Sequence, residues 1–176
     1  MNEQLPEVLS EDTAVFFWKV GKPSYIHSGC LSQWWLSAFV DEEAIRYTSA
    51  EQYMMYQKAI LFNDAAIAKE ILACTNPFMV KNLGRHIANF NATIWDNAKF
   101  DIVVKVNQLK FSQNTELSIF LLSTQDKILV EASPVDCVWG IGLDEYNPDR
   151  FYPDRWKGEN LLGKALMQAR ELLRST

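Results

Sequence analysis

Positive charge is the scarcer sign in this chain. Seventeen Lys and Arg stand against 22 Asp and Glu, for a net charge of −5. That balance argues against a broad phosphate-binding face of the kind a nucleic-acid groove needs, while leaving room for a small basic pocket holding one or two phosphates. Metal ligands are scarce as well. His27 and His86 are the only histidines, and Cys30, Cys74 and Cys137 are scattered, with no Cys-x-x-Cys. A zinc site has little to draw on, so no metal and no redox cofactor is expected. An odd, dispersed set of cysteines reads as reduced thiols. No apolar run reaches the ~18 residues that suggest a membrane span. Residues 1–12 carry neither a basic n-region nor an apolar h-region. A cytoplasmic protein with no membrane contact is expected.

What is present is aromatic and apolar. Hydrophobic residues make up 48% and aromatics 12%, with six Trp and ten Phe. At 176 residues the chain is long enough for one real core. No repeat, low-complexity stretch or linker divides it. The expected organisation is a mobile tail over residues 1–12 and one domain over residues 13–176, with a monomer favoured.

Local patterns give a mainly α fold with a minor α+β component: one compact domain of helices with a few short strands. Residues 13–20 are β-rich and read as a strand, followed by a turn-rich loop over 21–29 and a second short strand within 31–40. Helices are expected over 51–62, over 65–74 behind Asn63-Asp64, and over 78–83 behind Asn76-Pro77. Asn91 can cap a long helix to about Phe111, with Ile94, Trp95, Ala98, Ile102, Val106 and Leu109 as its apolar line. A short helix over 115–123 and a strand over 128–132 follow. Asn160 can cap a last helix over 161–173, with Leu162, Ala165, Leu166, Ala169 and Leu173 on one stripe.

The densest chemistry lies in Ser49-Ala50-Glu51-Gln52-Tyr53-Met54-Met55-Tyr56-Gln57-Lys58-Ala59. Thr48-x-x-Glu51 reads as a capping box. Glu51 and Lys58 differ by only about 20° around a helix and sit roughly 10 Å apart along it. Met54 and Met55 lie between them. An acid and an amine flanking an apolar strip suit the wall of a pocket. The same spacing also fits a capping glutamate, a solvated lysine and two core methionines.

Two glycine-bearing segments also stand out. Asp136-Cys137-Val138-Trp139-Gly140-Ile141-Gly142-Leu143 follows a strand. Its glycines permit close approach of a ligand, Asp136 can accept from sugar hydroxyls, and Trp139 offers a flat face. It fits a tight turn with a core Trp equally well. It lacks the third glycine of a dinucleotide fingerprint. Trp156-Lys157-Gly158-Glu159-Asn160-Leu161-Leu162-Gly163 places a helix N-terminus where phosphate can bind, or is an ordinary capped helix. In Leu83-Gly84-Arg85-His86 the arginine can fork onto phosphate or carboxylate, or make a surface ion pair.

Taken in order, these segments resemble the YbiA-like N-glycosidases, the NADAR family. The resemblance rests on residues 49–59, Leu83-Gly84-Arg85, Trp95, and Leu109-Lys110-Phe111-Ser112-Gln113-Asn114. It continues through Leu129-Val130-Glu131-Ala132-Ser133-Pro134, Asp136, Trp139-Gly140-Ile141-Gly142-Leu143 and Asn160-Leu161-Leu162-Gly163-Lys164-Ala165-Leu166-Met167. It covers nearly all the chain from about Phe16. Glu159 stands where the family often has Lys, and Ile141 where some relatives have an acid. The segment from His27 to Trp35 fits one branch better than the enterobacterial one.

The resemblance implies a compact, largely helical fold and hydrolysis of N-glycosidic bonds. It implies Glu51 and Lys58 in catalysis and Arg85, Trp95, Lys110, Asp136, Trp139, Gly140 and Asn160 in substrate binding. Two substrate classes go with it: ribosylamino-pyrimidine phosphates, which are early riboflavin intermediates, and ADP-ribose joined to guanine in nucleic acid. Both join ribose C1 to an exocyclic amine, so the sugar ring can open to an imine. Lys58 or Lys110 can then attack as a desolvated amine, with Glu51 moving protons. Alternatively, Glu51 activates water or stabilises an oxocarbenium ion directly. A non-catalytic reader of ADP-ribose would keep Trp139 and Asp136 but need neither Glu51 nor Lys58. The presence of both favours an enzyme.

Overall fold

The computed structural model describes residues 5–21 and 24–175. Residues 1–4 of the expected tail, and Lys22 and Pro23 of the expected loop, lie outside the described residues. Among the described residues there are four strands and six α-helices: β1 (Ala14–Phe17), β2 (Leu36–Val40), β3 (Arg46–Ser49), α1 (Ala50–Leu61), α2 (Ala65–Ala73), α3 (Pro77–Arg85), α4 (Ala92–Ser112), α5 (Thr115–Ser123), β4 (Ile128–Glu131) and α6 (Leu161–Arg174). Short 3-10 turns occupy Ser28–Leu31, Pro148–Phe151 and Pro153–Arg155. β1 pairs in parallel with β4, Ala14 opposite Ile128 and Phe17 opposite Glu131. β2 and β3 form an antiparallel hairpin with a register shift between Leu36 and Phe39. The fold is mainly helical, with α4 packed against α1, α5 and α6, and α1 also covered by α2 and α3.

The helix expectations hold in their existence and differ in detail. α1 is capped by Ser49, whose hydroxyl accepts from the Gln52 N–H, while Gln52 Oε1 accepts from the Thr48 N–H. The capping box is therefore set one residue later than Thr48-x-x-Glu51. Gln52 does the capping, and the Glu51 carboxyl is free for other work. Asn91 caps α4 as expected. The buried set of α4 is Val103, Val104, Val106, Asn107, Lys110 and Phe111; of the expected stripe Val106 is buried, Trp95, Ile102 and Leu109 are partly buried against the core, and Ile94 is exposed. Three helices crowd the C-terminal half of α4, so burial there follows the neighbours and not one face of the helix.

α6 buries Leu162, Ala165, Leu166 and Ala169 as its periodicity requires. Its N-cap is not made as expected. Asn160 has φ +53 in the left-handed region and makes no side-chain cap bond. Asn tolerates this conformation. Its amide is instead spent on β4: Oδ1 accepts from the Glu131 N–H at 3.0 Å and Nδ2 donates to the Leu129 carbonyl at 2.9 Å. The expected mobile tail does not reach residue 12. Leu9 is buried in a small core with Ala14, Val130, Ala132, Ile141 and Leu143, and its N–H donates to the Phe151 carbonyl. The hairpin strand β3 lay outside the sequence expectations, because its four residues are too few to show an alternation.

Candidate active site

A cavity of about 880 Å³ opens where α1, α3 and the start of α4 meet the end of β4 and the loop after it. Glu51, Lys58, Arg85, Trp95, Asp136 and Trp139 all line it. Residues separated by up to 88 positions in sequence thus share one space. α1 supplies one wall, with Glu51, Met54, Met55 and Lys58 along it as the helical spacing required.

Glu51 is only 3% exposed. Its N–H donates to the Gln33 carbonyl, which ties α1 to the segment before β2. Burial pushes its carboxyl up to about 7, opposed by the positive charge of Lys81 and by a hydrogen bond from the Trp34 side chain. Asp136 adds a further upward push and Arg85 a downward one. Such a carboxyl exchanges protons at neutral pH.

Lys58 is also desolvated, which holds its amine below the usual lysine value, while the Glu51 charge works the other way. Its Nζ donates to the Gly84 carbonyl at 2.9 Å and lies 4.4 Å from the Phe90 ring centre and 5.4 Å from that of Trp95. Among the described residues it makes no ion pair with Glu51. A Cβ at position 84 would collide with Met55. Glycine lets α3 approach α1 and offer that carbonyl to Lys58 without displacing the Met55 side chain.

Other expected site residues do different work. Asp136 caps its own turn, with Oδ1 accepting from the Val138 and Trp139 N–H groups. Arg85 is exposed at the rim beside Asn82. Three residues do not line the cavity. Lys110 is fully buried behind it, with Nζ donating to the carbonyls of Cys30 at 2.6 Å and Ser32 at 3.0 Å. It is thereby a brace for the segment that presents Gln33 and Trp34 to the cavity, and not a ligand contact. Burial lowers its amine to about 7. Gly140 and Asn160 sit beneath the wall. The Gly140 carbonyl accepts from the Asn160 N–H, and a Cβ at Gly140 would press on the Glu131 and Asp136 carbonyls.

The structure adds Glu131, Lys81 and Trp34 to the lining. Burial raises the Glu131 carboxyl to about 8, with a further upward push from Asp136 and an opposing pull from Lys81. An acid closing the apolar run Ile128-Leu129-Val130 was the available signal, since a charge at the end of a buried strand needs a reason. Lys81 carried no such signal: on a helix surface it looks like any solvated lysine. Among the described residues, no three His, Cys, Asp or Glu side chains are grouped so as to hold a metal ion. No helix among them is long and apolar enough to cross a membrane.

Comparison with known proteins places this chain in a class. N-glycosidase R617 of Acanthamoeba polyphaga mimivirus is 46% identical over 168 residues, 93% of this chain and 98% of that protein. The NMR structure of the E. coli protein YbiA superposes with a TM-score of 0.75 at 26% identity, covering 96% of this chain and 89% of that one. The riboflavin biosynthesis protein PYRR of Zea mays is 32% identical over 114 residues, 62% of this chain and 16% of that protein. The class is that of the N-glycosyl hydrolases. Within it, the chain belongs to the NADAR domain family, whose model matches residues 16–174.

Proposed function

We propose that this protein hydrolyses the bond between ribose C1 and an exocyclic amine in ribosylamino-pyrimidine phosphates. The observation that carries the reading is the buried Glu51 carboxyl and the desolvated Lys58 amine on one wall of the cavity. In the favoured route a proton reaches the ring oxygen from Glu51. The C1–O bond opens, and the nitrogen lone pair forms an imine at C1. The Lys58 amine adds to C1, the exocyclic amine leaves with a proton and the C1–N electron pair, and water hydrolyses the resulting Schiff base. The name of the maize relative supports the riboflavin-intermediate class.

ADP-ribose attached to guanine is the second reading, and the 880 Å³ volume favours it because a dinucleotide-sized ligand fits. The net charge of −5 speaks against a long nucleic-acid track beyond the pocket. Product analysis tests both. The purified chain is incubated with the ribosylamino-pyrimidine phosphates and, separately, with DNA carrying ADP-ribosylated guanine. Ribose 5-phosphate release is expected. Free ADP-ribose alone would move the substrate to the second class, and no product from either would overturn the reading.

A further inference from the structure

Glu131 has no part in the chemistry set out so far, yet its backbone is held on both sides in the cavity wall. It is the last residue of β4, paired with Phe17 of β1. Its N–H is taken by the Asn160 side chain, and its carbonyl accepts from the Ser133 and Ile141 N–H groups. The backbone is therefore pinned on both sides while the side chain lines the cavity. Its Oε2 is sequestered from solvent and has no hydrogen-bond partner among the described residues. A carboxylate cannot keep its charge cheaply with one oxygen buried and unpaired, so the neutral acid is the resident form. The charged groups acting on it are Asp136 from the following loop, Glu51 from α1 and Lys81 from α3. Two of the three are acids.

Resting on the N-glycosidase reading above, we propose that Glu131 is a second catalytic carboxyl beside Glu51, the proton donor to the departing exocyclic amine. The proton moves from the Glu131 carboxyl to the exocyclic nitrogen as the C1–N bond breaks, and the bonding pair leaves with that nitrogen. In the Schiff-base route the Lys58 nitrogen lone pair fills the vacancy at C1, giving C1=Nζ. In the direct route the ring oxygen fills it, and water follows. Either way Glu131 ends ionised and regains its proton from the attacking water. The role is common to both routes, and it leaves Glu51 to serve the ring oxygen or the attacking water. Lys81 and Trp34 support charge on Glu51. Burial and the neighbouring acids Asp136 and Glu51 keep the proton on Glu131. Asn160 and Gly140 become positioning residues, acting on the reaction through the Glu131 backbone.

The test compares the full chain with Glu131→Gln and Glu131→Asp across pH 5–10, roughly the span over which such carboxyls and a lysine titrate. Glu131→Gln keeps the shape and loses the proton, so kcat falls about 10²–10⁴-fold. The alkaline limb of the rate profile changes with it, because Glu131 no longer adds its own ionisation to that of Glu51. Glu131→Asp, which retains an acid on a shorter arm, outpaces Glu131→Gln and keeps an alkaline limb. Near wild-type turnover in Glu131→Gln, or a slower variant with the alkaline limb unchanged, overturns the proposal. Infrared difference spectroscopy reads the proton without turnover. A protonated-carboxyl stretch at neutral pH is expected in the wild type and reduced in Glu131→Gln by the share that Glu131 contributes, the remainder belonging to Glu51, and an ionised Glu131 at neutral pH also overturns it. A wild type that cleaves neither ribosylamine class would instead fail the reading of the substrate.

Discussion

The Lys58 amine is aimed by a backbone carbonyl and not by an acid: its Nζ donates to Gly84 at 2.9 Å. A neutral amine can keep this bond, whereas an ion pair with Glu51 would favour the ammonium form. Gly84→Ala is expected to displace the buried Met55 side chain and disturb the approach of α3 that sets the acceptor. Overpacking of this kind costs about 1–3 kcal/mol. Thermal unfolding should show the loss, and turnover should fall further than stability alone explains. A variant with unchanged stability and rate would show that the close approach of α3 is dispensable.

Glu51→Gln tests the acid on α1. The amide preserves shape and the Gln33 backbone contact but carries no transferable proton. A loss of about 10²–10⁴-fold in kcat is expected with folding intact. Rates close to wild type would remove Glu51 from the chemistry.

Lys110→Met separates bracing from catalysis. Methionine fills similar volume but takes the ammonium donor from the Cys30 carbonyl and leaves the Ser32 carbonyl with the Trp35 N–H alone. An unpaired buried acceptor costs about 1–3 kcal/mol. A lower unfolding temperature is expected, with any trapped sugar adduct still on Lys58. Unchanged stability together with loss of the adduct would return Lys110 to the role of amine.

These variants also show where the sequence was legible. The Glu51–Lys58 face could be read because both residues lie on one helix, where spacing alone fixes their relation. Lys110 could not be placed in the same way: its partners are 78 and 80 residues distant, and nothing in α4 distinguishes a brace from a ligand. Asn160 fits the pattern of an N-cap, yet its amide serves a strand 29 residues earlier. Periodicity marked the core of α6 correctly because α6 packs on one side. On α4, which packs on several, it marked only part of the buried set.

Addition of borohydride during turnover is expected to trap an imine on Lys58. The adduct mass should match the sugar-containing fragment, and peptide mapping should place it at residue 58. Lys58→Arg should abolish both the adduct and turnover, because a guanidinium stays protonated. No adduct in a turning-over sample, with Lys58→Arg still active, would transfer the reaction to water activated by Glu51.

The last prediction concerns stability against pH. Glu51 and Glu131 are raised from 4.5 to about 7 and about 8 in the folded protein. Above pH 4.5 the unfolded chain releases these protons while the folded chain keeps them, so stability contributed by the neutral forms is lost as pH climbs through the folded values. The slope is at most about 1.4 kcal/mol per pH unit for each group. Lys110, lowered from 10.5 to about 7, acts in the opposite sense: its contribution is lost as pH falls from 10.5 through 7. The carboxyl effect is therefore cleanest below pH 7, where the folded and unfolded chains both carry the Lys110 proton. Urea unfolding of wild type, Glu51→Gln and Glu131→Gln from pH 5 to pH 7 should show wild-type stability falling relative to both variants. Each variant should flatten part of the slope, because glutamine has no proton to lose in either state. Parallel curves for all three would mean that the folded protein does not hold these carboxyls neutral, and would remove the basis for assigning either one as a proton donor at neutral pH.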